Sequence, residues 1–291
     1  ASDVYKRQVN DRTRFIYEAA CCGLRDFFVK NGYKKACVGV SGGIDSAVVA
    51  CLAVAALGAE NVRGLMMPSQ FSSEGSVEDA KQLAENLGIE FHVVPITEAY
   101  RSIVDTLIPV IGGTDFDATE ENIQSRIRTL MLMALQNKNG YVLLNCSNKS
   151  ENALGICTLY GDTGGAFSVT GDLYKTEMYD LARYINRKFG APIPENILTK
   201  EPSSELRPNQ KDSDMLPSYE VVDAILYRLI EDGQSREEII NAGFDSDEVQ
   251  KIYAMVMRNE KKRFQYPPVL RLSSSSFGHE YRMPLTHKYV K

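Results

Sequence analysis

Residues 36–46 read Ala36-Cys37-Val38-Gly39-Val40-Ser41-Gly42-Gly43-Ile44-Asp45-Ser46, an apolar run broken by paired glycines and followed by the helix-like stretch 47–57. A short strand that turns into a helix through two glycines aims unpaired backbone N–H groups and a positive helix end at one point. Paired glycines tolerate positive φ and close approach by an anion, and Ser41 and Ser46 add hydroxyl groups. Such a turn suits a phosphate or pyrophosphate. The run lacks the lysine of a Gly-x-x-x-x-Gly-Lys-Ser/Thr loop and does not fit Gly-x-Gly-x-x-Gly. Its centre holds an acid, Asp45. A carboxylate beside a phosphate repels it unless a cation intervenes, so the loop itself points to Mg²⁺. The plainer reading is a strand-to-helix turn capped by Asp45 or Ser46.

Outward from this junction, strand and helix patterns alternate. Helix-like stretches at 13–30, 44–58, 76–87, 97–111, 118–137 and 175–189 separate strand-like runs at 36–40, 62–67, 91–95 and 141–146. Short strands between longer helices predict an α/β fold, a Rossmann-like parallel sheet with helices on both faces. Ligands of such sheets lie beyond the carboxyl ends of the strands. The loops after the runs at 36–40, 62–67 and 141–146 should therefore converge. Beyond Pro192 prolines accumulate and helices are expected at 219–231, 235–241 and 245–264. This divides the chain into an α/β core over 13–200 and a small C-terminal helical extension with a polar tail over 201–291. Residues 1–8 show no periodicity and no initiator Met, and are set aside as a fragment edge or non-native.

The chain has 291 residues, 44% of them hydrophobic, and a net charge of −5 from 33 Lys+Arg against 38 Asp+Glu. That is enough apolar content for a core, and no broad basic field for tRNA or DNA is present. Cys21, Cys22, Cys37, Cys51, Cys146 and Cys157 form no C-x-x-C pair and read as buried, reduced thiols. With only three histidines, a zinc centre or a Ser-His-Asp triad is hard to assemble. No apolar stretch reaches a membrane span and no secretory leader is visible, so a soluble, cytoplasmic protein without membrane or nucleic-acid partners is expected.

Ser41-Gly42-Gly43-Ile44-Asp45-Ser46 resembles the pyrophosphate-binding loop of the ATP pyrophosphatases, which share an adenine nucleotide alpha hydrolase-like fold and split ATP into an adenylated substrate and pyrophosphate. A second polar cluster narrows the group: Asn148-Lys149-Ser150-Glu151, then Tyr160-Gly161-Asp162-Thr163-Gly164-Gly165, with Glu121-Asn122-Ile123-Gln124-Ser125-Arg126-Ile127-Arg128 upstream. Together with Lys262-Arg263-Phe264-Gln265-Tyr266-Pro267-Pro268 and the run Phe277-Gly278-His279-Glu280-Tyr281-Arg282-Met283-Pro284, these are similar to NAD synthetases, closest to the synthetase domain of the glutamine-dependent branch.

The resemblance implies a ligase that adenylates the nicotinate carboxylate of deamido-NAD with ATP and displaces AMP with ammonia. It also implies that Gly39, Val40, Ser41, Gly42, Gly43, Ile44, Asp45, Ser46, Cys146, Lys175 and Ser203 contact ATP. Asp45 and Glu151 would hold Mg²⁺, and Asn122, Arg126, Glu151 and Lys262 would contact deamido-NAD. The apolar stripe Ile123, Ile127, Leu130, Met131 and Ala134 reads as core or partner interface, and the resemblance adds a homodimer with a glutaminase domain or subunit as ammonia donor. Two departures stand out. Cys146 occupies a usual Thr position, and Leu159 a position where free-standing ammonia-dependent enzymes carry Lys. Competing readings are another ATP pyrophosphatase, such as a tRNA-thiolating enzyme, and a catalytically silent nucleotide-binding module. Stretches 68–76 and 200–216 are read as lids.

Overall fold

Residues 2–113, 115–208 and 210–288 are described by the computed structural model, with side chains from Arg12 onward. The elements run α1 (Ser2–Asn31), β1 (Lys35–Gly39), α2 (Ile44–Leu57), β2 (Val62–Met66), α3 (Glu74–Leu87), β3 (Glu90–Val93), α4 (Thr97–Ile111), α5 (Ala118–Asn139) and β4 (Tyr141–Asn145). They continue with α6 (Lys149–Leu154), β5 (Phe167–Ser168), α7 (Lys175–Phe189), α8 (Glu195–Thr199), α9 (Tyr219–Ile230), α10 (Arg236–Asn241), α11 (Ser246–Arg258) and α12 (Glu260–Arg263).

The sheet is parallel throughout, in the order β3-β2-β1-β4-β5. From β1 the chain winds outward to β3, then returns to place β4 on the other side of β1. The strand order therefore reverses between β1 and β4, where a crevice opens above their carboxyl ends. Alternation along β1 sends Ala36 and Val38 to one core and Cys37 to the other. The first core packs α1, α2 and α7 on one face of the sheet, and the second packs α4 and α5 on the opposite face. Helix α2 is apolar nearly all round because it is enclosed, with ten of its residues buried. A third core joins α6, α9, α10 and α11, forming the helical extension.

Several boundaries differ from the sequence expectation for local reasons. The backbone of α1 is helical from Ser2, so the residues set aside at 2–8 continue that helix. The helix expected over 245–264 divides at Asn259, whose side-chain amide donates to the carbonyls of Leu154 and Met255. On α5 the buried side is Ile123, Ile127 and Leu132, whereas Leu130 and Ala134 of the expected stripe face outward. Among the cysteines, Cys22 is exposed and Cys146 and Cys157 are half-buried rather than enclosed, and all six are free.

The polar tail is not loose. Lys149 is fully buried, with Nζ 2.9 Å from Asp172 and bonded to Glu231 and to Ser273 Oγ at 2.8 Å. The backbone N–H groups of Leu272 and Ser273 donate to the Asp172 carboxylate, each at 2.7 Å. A buried, doubly compensated cation thus ties residues 272–275 to the core. No described helix is long and apolar enough to cross a membrane.

Candidate functional site

Above the crevice, the turn after β1 is knitted by its own serines. Ser46 Oγ accepts from Ser41 N–H at 3.1 Å and donates to the Gly43 carbonyl at 3.1 Å, while Gly43 N–H donates to Ser41 Oγ at 3.2 Å. Both hydroxyls shape the loop. Gly42 has φ +79°, and a Cβ there would sit 2.2 Å from the Ser76 carbonyl oxygen, so both conformation and the packing of α3 demand glycine. Gly43 is the N-cap of α2 and supplies no side-chain cap, so the first turn, whose residues Ile44, Asp45 and Ser46 border the crevice, keeps uncapped N–H groups.

Opposite, β4 ends in Asn145 and the chain enters α6 through a reciprocal capping box. Asn148 Oδ1 accepts from Glu151 N–H at 2.9 Å, and a Glu151 carboxylate oxygen accepts from Asn148 N–H at 3.3 Å. Asn148 Nδ2 also donates to Asp45 at 3.0 Å. Lys175, at the first position of α7, completes the group with Nζ 2.6 Å from Asp45 Oδ2 and 3.7 Å from Glu151 Oε1. Its backbone N–H donates to Ser150 Oγ, which donates in turn to the buried Asp223 of α9. The helical extension therefore seats the α7 N-terminus.

Burial, reinforced by Asp45, pushes Glu151 up to about 8, against the attraction of Lys175. Burial opposes the charge on Lys175, but Asp45 and Glu151 outweigh it and hold the ammonium well above the ordinary lysine range. Near neutral pH Glu151 therefore keeps its proton while Lys175 pairs with Asp45, and a second cation beside the two carboxyl groups would favour its ionised form. The carboxylate oxygens of Asp45 and Glu151 are the donor type that a hard cation such as Mg²⁺ takes. Among the described residues no group of three or more His, Cys, Asp and Glu could hold a metal alone.

Asp45, Glu151 and Lys175 line one cavity of about 320 Å³. Its walls include Leu65, Met67, Leu132 and Leu143, an apolar slot fit for a planar base, while Gly39–Ser46 without Gly42, Lys175, Cys146 and Ser203 supply the polar side. The Cys146 thiol is pushed well up by burial, so it stands in the cavity as a neutral group. Ser203 Oγ donates to the Gln210 carbonyl at 2.6 Å within the segment after α8. That segment reaches across the mouth: Glu205 accepts from Ser73 N–H, Ser73 Oγ and Ser76 Oγ at 3.1, 2.8 and 2.7 Å. The two stretches read as lids are thus latched to each other.

Asn122, Arg126 and Lys262 gather elsewhere. Asn122 accepts from Thr158 Oγ1 at 2.6 Å, Arg126 Nε donates to the Leu159 carbonyl at 3.2 Å, and Lys262 Nζ donates to the carbonyls of Gly155 and Cys157 at 2.6 and 2.9 Å. All three hold the segment 155–159, and none lines the cavity. Between the two groups lies Asp162, a cavity residue raised to about 6 by burial, with Thr158 N–H donating to it at 2.6 Å. Asp162, Arg128, Asn148 and Tyr219 carry no role in the sequence reading. Asn148 was legible, since Asn-x-x-Glu is a capping signature. Asp162 and Arg128 stand inside motifs quoted above but look like any surface charge until the fold encloses them.

The sequence model of the NAD synthase family matches residues 16–266. A glutamine-dependent NAD(+) synthetase of Aquifex aeolicus is 52% identical over 276 residues, covering 95% of this chain and 48% of the relative. One of Thermotoga maritima is 47% identical over 279 residues, covering 96% of this chain and 48% of the relative. The chain spans about half the length of these curated relatives. Among solved structures, the glutamine-dependent NAD+ synthetase of Acinetobacter baumannii in complex with ADP is 41% identical, with TM-score 0.64 over 94% of this chain and 49% of that one. The NH3-dependent NAD synthetase of Campylobacter jejuni is 30% identical, with TM-score 0.68 over 86% of this chain and 95% of that one.

Proposed function

The chain belongs to the NAD synthase family, and from that premise we propose that it joins ammonia to deamido-NAD in an ATP-driven ligation releasing AMP and pyrophosphate. The carrying observation is the meeting of the uncapped α2 N-terminus, Asp45, Lys175 and Glu151 in one cavity with an apolar slot. A carboxylate has no adequate leaving group until one oxygen bears AMP. Adenylation therefore requires charge neutralisation at a departing pyrophosphate, which helix N–H groups and a buried ammonium supply.

Asp45 and Glu151 would hold Mg²⁺, which when bound would neutralise phosphate charge during adenylyl transfer. Lys175 pairs with Asp45 in the ligand-free chain and faces the phosphates in the loaded one. The loop Gly39–Ser46, with Cys146 and Ser203, forms the ATP side of the site. Asn122, Arg126 and Lys262 hold segment 155–159 and form the deamido-NAD side together with Glu151. Asp162, with a pKa raised to about 6, is placed to take the proton that ammonia loses on becoming an amide.

The nitrogen source follows the relatives named glutamine-dependent: ammonia delivered by a glutaminase domain or subunit. The exposed apolar side chains Ile103, Val110 and Ile111 on α4 and Leu130 on α5 support a homodimer through this face. The α/β core over 13–200 and the extension over 201–291 act as one synthetase unit in the cytoplasm. Exchange of labelled pyrophosphate into ATP, dependent on deamido-NAD and run without ammonia, tests the adenylation step. Exchange is expected; its absence with folded protein would reject the reading.

A further inference from the structure

Three cationic side chains line the cavity, and two are already paired. Lys175 is bound to Asp45, and Lys200 lies 2.9 Å from Asp79. Arg128 of α5 makes no ion pair among the described residues, and its one hydrogen bond among them runs from Nε to the Met67 carbonyl at 3.0 Å. Its two terminal nitrogens are left uncommitted. Glu205 and Asp162 act on it through space, yet neither forms a salt bridge with it, and burial lowers it to about 10. A guanidinium taken partly out of water without a partner is costly, and an oxyanion arriving in the cavity would offset that cost.

The surroundings specify which oxyanion. One turn along α5 from Arg128 is Leu132, and a Cβ placed on Gly39 would meet Leu132 at 3.2 Å and Met67 at 3.5 Å. Arg128 therefore borders the strand end that feeds the glycine loop, between the apolar slot and the polar wall. Arg126, two residues earlier, does not line the cavity and turns instead to the Leu159 carbonyl. The Nε bond to Met67 fixes the plane of the guanidinium and leaves its paired N–H groups for a bidentate acceptor.

We propose that Arg128 is a further nucleotide-binding residue, holding phosphoryl oxygens of ATP and AMP through its terminal nitrogens; this rests on the ATP-dependent reading above. Calorimetric titration of the whole chain with ATP, AMP and adenosine, and separately with deamido-NAD, tests it for wild type, Arg128→Gln and Arg128→Lys. Arg128→Gln is expected to weaken ATP and AMP roughly 10- to 100-fold, the range of a charge-assisted contact. Adenosine and deamido-NAD should stay within about twofold, because neither relies on that contact for its affinity. Arg128→Lys should fall between, keeping charge but losing the fork.

Equal weakening of adenosine would overturn the proposal, because it would reveal a structural role through Met67. Weakening of deamido-NAD alone would overturn it by assigning the guanidinium to the other substrate, and unchanged ATP binding would overturn it outright. If wild type bound no ATP, the underlying reading would fail too, recognisable because every variant would then match it.

Discussion

Lys175 Nζ lies 2.6 Å from Asp45 Oδ2, across 130 residues of sequence, and both side chains are more than four-fifths shielded from solvent. Replacing the lysine leaves Asp45 and Glu151 facing each other without their cation. Lys175→Met is expected to lower unfolding free energy by about 3 kcal/mol, and ligation by roughly a hundredfold. Urea denaturation without divalent ions checks the first number. Unchanged stability would mean that the pair carries no weight.

Gly42 combines positive φ with a 2.2 Å approach of a virtual Cβ to the Ser76 carbonyl. Gly42→Ala should cost about 2 kcal/mol or more, because alanine in the left-handed region is strained before the clash is counted. ATP affinity should fall as α3 shifts from the loop. Thermal unfolding and nucleotide titration together check this, and a variant with both properties intact would refute the packing described.

Much of this frame was legible in the chain. The strongly amphipathic helices α4 and α7 match their expected limits of 97–111 and 175–189, because turn residues bracket them. The six-residue α6 was not foreseen: its Lys149 looks like a surface residue and is wholly buried by Asp172 and Glu231, 23 and 82 positions away. Two-residue β5 is held by β4 on one side and by a bridge from Ser168 to Val269 on the other. The same holds for the site. The glycine loop and Glu151 announce themselves locally, whereas the Lys175–Asp45 contact, the Glu205 latch and the uncommitted Arg128 arise from tertiary placement, to which no local pattern corresponds.

Asp162 sits above its ordinary value, at about 6, because burial disfavours its charged form. As a proton acceptor it is active only when ionised, so with free NH3 held constant amide formation should rise roughly tenfold per pH unit below 6 and level off above it. Stability runs the other way. A carboxyl whose native pKa is raised favours folding fully below its unfolded value and loses that contribution as pH rises through about 6. Asp162→Asn should flatten the rate profile near pH 6 and remove this stability loss. A wild-type profile without a limb there would exclude the role.

Glu205 ties segment 200–216 to the first turn of α3 through three hydrogen bonds. Glu205→Ala should raise amide hydrogen exchange in that segment and at Ser76 about tenfold, leaving β1 and β4 protected. Exchange measured by mass spectrometry checks it. An unchanged pattern would mean that the mouth is closed by other contacts.

The proposed ligation releases one AMP for each amide formed. The direct measurement incubates the folded chain with deamido-NAD, ATP, Mg²⁺ and ammonium, and quantifies NAD and AMP in the same sample, with Asp45→Ala alongside. Equal amounts of NAD and AMP, strict dependence on deamido-NAD, and no turnover in the variant are expected. ATP turnover without NAD, ADP in place of AMP, or full activity in Asp45→Ala would contradict it.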